Sequence, residues 1–161
     1  MSPPAGQISV AAKSKLTMLK PRILLIEDDS GRTDIFTRWL RDTEFVLVTV
    51  RSGGQALGML SKGSTEAIAG ILLDHDLSDS PFTETDLSLS ASNVIPLIKR
   101  KVRRSVPVLI HSHNASKPPL MQRSLESDGF SVTRIRFAVL TEARFRLWLD
   151  EVRDNWEPED A

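Results

Sequence analysis

The feature that most constrains this chain is a repeated one: a short apolar run, then polar residues, then a stretch with helical spacing. Arg22 to Ile26, Phe45 to Val50, Ile68 to Leu73, Val106 to Ile110 and Val132 to Phe137 read as strands. The first and third are nearly continuous in apolar residues, as in strands covered on both faces. Ser30 is placed to cap a first helix whose stripe is Ile35, Phe36, Trp39 and Leu40. Ser52-Gly53-Gly54 leads into a second, with Ala56, Leu57 and Leu60 inward. A third helix runs from about Ser92 to Arg104, where Pro96 is tolerable only within the first turn. Pro118-Pro119 opens a fourth helix carrying Leu120, Met121 and Leu125, stopped by Gly129. The last begins near Thr141 and spaces Phe145, Trp148, Leu149 and Val152 for burial. This alternation predicts an α/β fold, a doubly wound five-stranded parallel sheet of (βα)5 form.

The 161 residues suit one domain, and 40% apolar content is enough for a core. Residues 1–20 mix Ser, Pro, Gly and Lys without a period and read as a flexible leader. The domain spans 21–153, and 154–161 form an acidic tail. Basic and acidic residues balance at 21 each, which argues against a duplex DNA partner held by bulk charge. There are no cysteines, so disulfides, zinc ribbons and thiol catalysis drop out. No apolar run approaches the roughly 20 residues that span a bilayer, and Met1 is not followed by a signal-type apolar segment. The expectation is a cytoplasmic protein without a membrane partner.

Ligands of open α/β sheets bind beyond the carboxyl ends of the strands. Three polar clusters fall there. Glu27-Asp28-Asp29 follows the first strand, Asp74-His75-Asp76 the third, and His111-Ser112-His113-Asn114 the fourth. Several carboxylates drawn together need a compensating cation, and hard oxygen donors suit Mg²⁺ or Mn²⁺. A plain helix cap is the alternative for Asp28 and Asp29, and a turn residue for Asp74. Asp76 reads equally as a ligand, a general base or a loop residue. In an extended strand His111 and His113 point one way and Ser112 the other; either histidine, or His75, has the chemistry to move a proton. Arg136, late in the fifth strand, and Arg32, early in the first helix, are candidate phosphate contacts, Arg32 alternatively a carboxylate partner. The basic run Lys99 to Arg104 reads first as a solvated helix end, with RNA binding as the alternative. Residues 78–92 are long for a connection in a compact domain.

From Arg22 to Val152 the chain resembles a response-regulator receiver domain, through ILLIEDD, ILLD, PVLIHS and a basic residue on the last strand. The resemblance implies a CheY-like fold in which Glu27 and Asp28 with Asp74 hold Mg²⁺. It also implies that Asp74 accepts a phosphoryl group from a histidine kinase, Ser112 is the hydroxyl switch and Arg136 replaces the usual lysine. Departures are equally visible. Phe137 stands where proline normally follows the lysine, Arg32 lies close behind the acids, and the loop after Asp74 is expanded. LDHDL at 73–77 and HSHN at 111–114, with Glu27-Asp28-Asp29 and Arg32, resemble a divergent branch, the cyclic-phosphate processing receiver domain. That likeness implies a metal-dependent phosphoesterase. Glu27, Asp28 and Asp74 would hold metal; Ser112, Asn114, Arg136 and Arg32 would bind phosphate; Asp74, His75, Asp76, His111 or His113 would act in catalysis. The substrate would be a phosphate-ester small molecule or an RNA terminus. Two other readings stay open: a phosphorelay regulator modified on Asp74, and a receiver that only binds a protein.

Overall fold

The computed structural model describes residues 20–62, 65–75, 91–112 and 119–156. Strands β1 (Arg22–Ile26), β2 (Val46–Val50), β3 (Ile68–Asp74), β4 (Val108–Ser112) and β5 (Val132–Arg136) form one parallel sheet in the order β2-β1-β3-β4-β5. Helices α1 (Ser30–Leu40), α2 (Gly53–Lys62), α3 (Ala91–Lys101), α4 (Leu120–Ser127) and α5 (Glu142–Asn155) alternate with them. The expected doubly wound fold is therefore the observed one. The strand order reverses between β1 and β3, which makes their carboxyl ends the topological switch point.

Strand alternation divides the core in two. Leu24, Ile26, Ile71, Leu73, Val108 and Ile110 face α2, α3 and α4. Ile23, Leu25, Leu72 and Leu109 face α1 and α5, where they meet Phe36, Leu40, Phe145, Trp148, Leu149 and Val152. On this second face Gly70 leaves room for α5: a Cβ there would lie 2.8 Å from Trp148 Cη2.

Local chemistry moves several expected boundaries. Asp29, not Ser30, is the N-cap of α1, because its carboxylate accepts from Arg32 N at 2.9 Å. Strand β4 starts at Val108 and runs through His111 and Ser112, so both belong to the sheet. Strand β5 ends at Arg136, and Phe137–Val139 form a 3₁₀ turn. Pro96 lies in the interior of α3, beyond the first turn. Burial of Val94, Ile95, Leu97 and Ile98 around it offsets the backbone bond that proline forgoes. Of the apolar residues on α4, Leu120 is 64% exposed, whereas Met121 and Leu125 are buried. Gly129 ends α4 in a left-handed conformation, φ 97°, that favours glycine. The expected leader lies outside the described residues except at Lys20, as does the tail beyond Trp156. Among the described residues no helix is long and apolar enough to cross a membrane.

Candidate functional site

Register and parity build the site. Leu25 pairs with Leu72, and Leu72 with Leu109, giving an apolar row across β1, β3 and β4 on the α1/α5 face. Two residues further along each strand the same face carries Glu27, Asp74 and His111; Asp74 and His111 are register partners. Side-chain ligand atoms of all three lie within 4.8 Å of one another, and all three residues are buried. This is the convergence at the sheet edge that the polar clusters implied.

Glu27 is the hub. Its carboxylate accepts from the backbone N–H of Asp28 at 2.9 Å and of Asp29 at 3.3 Å. Arg32 donates to it twice, Nε to Oε1 at 2.5 Å and Nη2 to Oε2 at 3.1 Å. His111 Nε2 lies 3.0 Å from Oε1. Burial alone would raise the Glu27 pKa, but the contacts with His111 and Arg32 outweigh it and hold the group well below the usual carboxylate range. An ionised carboxylate only accepts, so the imidazole donates from Nε2.

Arg32 enters this cluster because of where it sits on α1. It heads the buried stripe Arg32, Phe36, Leu40, with a guanidinium where an apolar side chain would otherwise start the row. Its Nη2 also reaches Asp74 Oδ2 at 3.5 Å and approaches Asp28 Oδ1 at 4.0 Å. Burial works to lower its pKa, yet Glu27, Asp74 and Asp29 together raise it. Phe137, the residue in the place of the usual proline, lies 5.8 Å from the guanidinium carbon. The rings of Phe36 and Phe137 pack against His111 at 5.2 and 6.1 Å and against each other at 6.0 Å. The polar cluster is thus roofed by aromatic side chains.

The remaining candidates divide by position. Asp28 stands at the rim of the cluster, with Arg51 Nη2 donating to its backbone oxygen at 3.0 Å. His75 follows in the turn and continues the β3–β4 ladder, its N–H donating to His111 O at 2.9 Å. Ser112 is buried and pairs in register with Arg136, which is exposed; both lie one residue beyond the Asp74–His111 row. Alternation turns Ser112 toward the α2–α4 face, with Ile110. Asp76, His113, Asn114 and residues 78–90 of the long connection lie outside the described residues. In the basic run, Lys99 donates to Ser124 at 2.8 Å and Arg104 pairs with Asp128 at 2.7 Å, as befits a helix end braced by its neighbours.

A divalent ion is what the receiver resemblance implies, and the donor set fits one: two carboxylates and an imidazole nitrogen at coordinating separation. Imidazole widens the range from Mg²⁺ toward Mn²⁺ and related ions. The guanidinium of Arg32 already supplies positive charge to the same oxygens.

No protein-family model matches the sequence, and no curated protein matches it. Solved structures do. The receiver domain of sensor histidine kinase PA1611 from Pseudomonas aeruginosa PAO1, with magnesium coordinated in its active-site cleft, is 18% identical over 83% of this chain and 98% of its own, TM-score 0.60. A CheY-like response regulator receiver domain from Methanospirillum hungatei JF-1 is 15% identical over 84% and 95%, TM-score 0.62. A sensor protein from Polaromonas sp. JS666 is 24% identical over 84% and 98%, TM-score 0.61. These likenesses, with the strand order and the five flanking helices, establish that the chain has the flavodoxin-like fold of receiver domains.

Proposed function

We propose that the chain is a receiver-type signalling module whose Asp74 accepts a phosphoryl group. The observation that carries this reading is the place of Asp74: last residue of central β3, at the switch point, beside Glu27 and His111 and above the leucine row. One carboxylate oxygen of Asp74 attacks phosphorus. The bond from phosphorus to the donor's nitrogen or oxygen breaks, and the donor leaves with that electron pair. Arg32, drawn off the carboxylates, meets the phosphoryl oxygens as a planar cation. Glu27 and Asp74, with His111 or Asp28, would hold Mg²⁺ or Mn²⁺, which when bound supplies further positive charge to those oxygens. Ser112 and Arg136, one row further out, contact the group where it projects past the sheet. A cytoplasmic histidine kinase is the partner this chemistry calls for, and the output is a shift of the elements around Ser112. Incubation with acetyl phosphate and Mg²⁺ tests the reading by intact mass. The expected result is one added phosphoryl group on the native chain and none on Asp74→Asn; an unmodified native chain contradicts it.

A second reading is favoured by one contact, His111 Nε2 against Glu27. A carboxylate that orients an imidazole is the arrangement of an acid–base pair. In this reading the pocket hydrolyses a phosphate ester, a cyclic one or an RNA terminus included. The imidazole takes a proton from water as the water oxygen attacks phosphorus, the ester P–O bond breaks, and the imidazolium gives that proton to the leaving oxygen. Arg32, Ser112, Arg136 and Asn114 would bind phosphate, and His75, Asp76 and His113 are the other proton carriers. Turnover of 2′,3′-cyclic nucleotides that is lost in His111→Gln supports hydrolysis; no turnover and no binding removes it.

A further inference from the structure

The best-placed cation in this cluster belongs to the chain itself. Arg32 has 10% of its side chain exposed, donates twice to Glu27, and brings Nη2 within 3.5 Å of Asp74 and 4.0 Å of Asp28. The carboxylates it touches include the two that, with His111, form the metal-competent group. Glu27 Oε1 already takes Arg32 Nε and His111 Nε2, and Oε2 takes Arg32 Nη2 with the N–H groups of Asp28 and Asp29, so no lone pair of this carboxylate is left for a metal. Two positive charges within a few ångströms of one another also repel. Its seat is built from several sides. Asp29 accepts from Arg32 N and fixes the start of α1, the Phe36–Leu40 stripe sets the helix rotation, and Phe137 covers the guanidinium.

We infer that Arg32 is a resident counter-cation of the Glu27–Asp74–His111 cluster, and that a divalent ion and the guanidinium are alternative occupants of it. This deepens the phosphoacceptor reading by adding a regulatory step: metal loading requires Arg32 to withdraw. Apparent metal affinity then falls by the fraction of molecules in which the arginine is out. A metal-loaded module and a metal-free one differ in where Arg32 points, which couples cation binding to the first turn of α1.

Titration of Mn²⁺ into the native chain and into Arg32→Met, with free Mn²⁺ read by its electron paramagnetic resonance signal, tests this without any phosphodonor. The expected result is binding at least about tenfold tighter in the variant, the order of effect when the competing state dominates. Equal or weaker binding overturns the inference. Should Arg32→Met fold only with metal present, that dependence itself supports the exchange. Should it fold under neither condition, Arg32→Lys decides, because lysine keeps a charge but loses the forked pair: tighter binding than the native chain supports the inference, and unchanged binding overturns it. The Arg32 Nε–H resonance gives an independent readout in the native protein. It should move from a bonded toward a free position at saturating Mg²⁺, and a bonded position retained at saturation contradicts the exchange. Tightened metal binding without phosphorylation would leave this inference standing and remove the phosphoacceptor reading; the reverse outcome would do the opposite.

Discussion

The two faces of the sheet end differently at the same edge. On the α2–α4 face, Ile26, Leu73 and Ile110 bring an apolar row to the switch point, and Ser112 and Arg136 come after it. On the α1/α5 face, Leu25, Leu72 and Leu109 give way to Glu27, Asp74 and His111, with Arg32 inserted from α1. Both faces use the same strands and the same kinds of apolar residue, mainly Leu and Ile. What separates them is parity: a residue at one position joins a buried ionic cluster, and its neighbour in sequence is carried to the other side. Chemistry gathered in adjacent letters of the sequence is sorted by the pleat into one tight cluster and one looser pair.

The α1/α5 face depends on its ionic cluster for stability. Glu27→Gln leaves the Arg32 guanidinium buried with its main partner neutralised, and should cost about 3–5 kcal/mol in denaturant unfolding. A loss as small as that of an exposed residue would mean the α1/α5 face does not depend on its charges. Next in size is a pair of glycines. Gly70→Ala places a Cβ against Trp148, Ile23 and Val152, at 2.8, 3.1 and 3.1 Å, and should destabilise by about 1–3 kcal/mol. Gly58→Ala, in α2 with nothing within 4 Å, should stabilise by about 0.4–1 kcal/mol. Equal effects at the two sites would contradict the packing described for α5.

Acid sensitivity sharpens the contrast further. The Glu27 pKa is depressed in the folded state from its ordinary 4.5. Its stabilisation is therefore complete above that value and declines as pH falls toward the folded-state pKa. Unfolding free energy measured in metal-free buffer should drop below about pH 4.5, with a shallower drop in Glu27→Gln. The smallest effect is expected on the other face. Ser112→Ala should change stability by about 1 kcal/mol or less, a typical single hydrogen bond, and a loss matching that of Glu27→Gln would erase the distinction between the faces.

Much of this was legible in the residues. Near-continuous apolar runs marked β1 and β3, and acids at their ends marked the edge where a ligand belongs. Asp74, following Ile71-Leu72-Leu73, stood out for the same reason: a carboxylate at the end of a strand buried on both faces. The partnership of His111 with Glu27 was not legible, since it joins residues 84 positions apart through register that no local pattern states. The signal that points to it is parity, because His111 lies two residues after inward Leu109, as Glu27 does after Leu25. Arg32 read as a phosphate or carboxylate contact, but its burial depends on the rotation of α1. Asp29 fixes the start of α1 as cap, a role open to either Asp29 or Ser30 in the sequence. Phe137 was visible only as a missing proline; its ring over Arg32 and beside His111 follows from the 3₁₀ turn that ends β5.

Nuclear magnetic resonance of the chain titrated with beryllofluoride and Mg²⁺ tests most directly whether Asp74, within the Glu27–His111 row, is the reactive centre. A second set of resonances should appear, with the largest changes at Glu27, Asp28, Arg32, Asp74 and His111, and Asp74→Asn should abolish it. An unchanged spectrum, or changes centred elsewhere that persist in Asp74→Asn, would contradict the account.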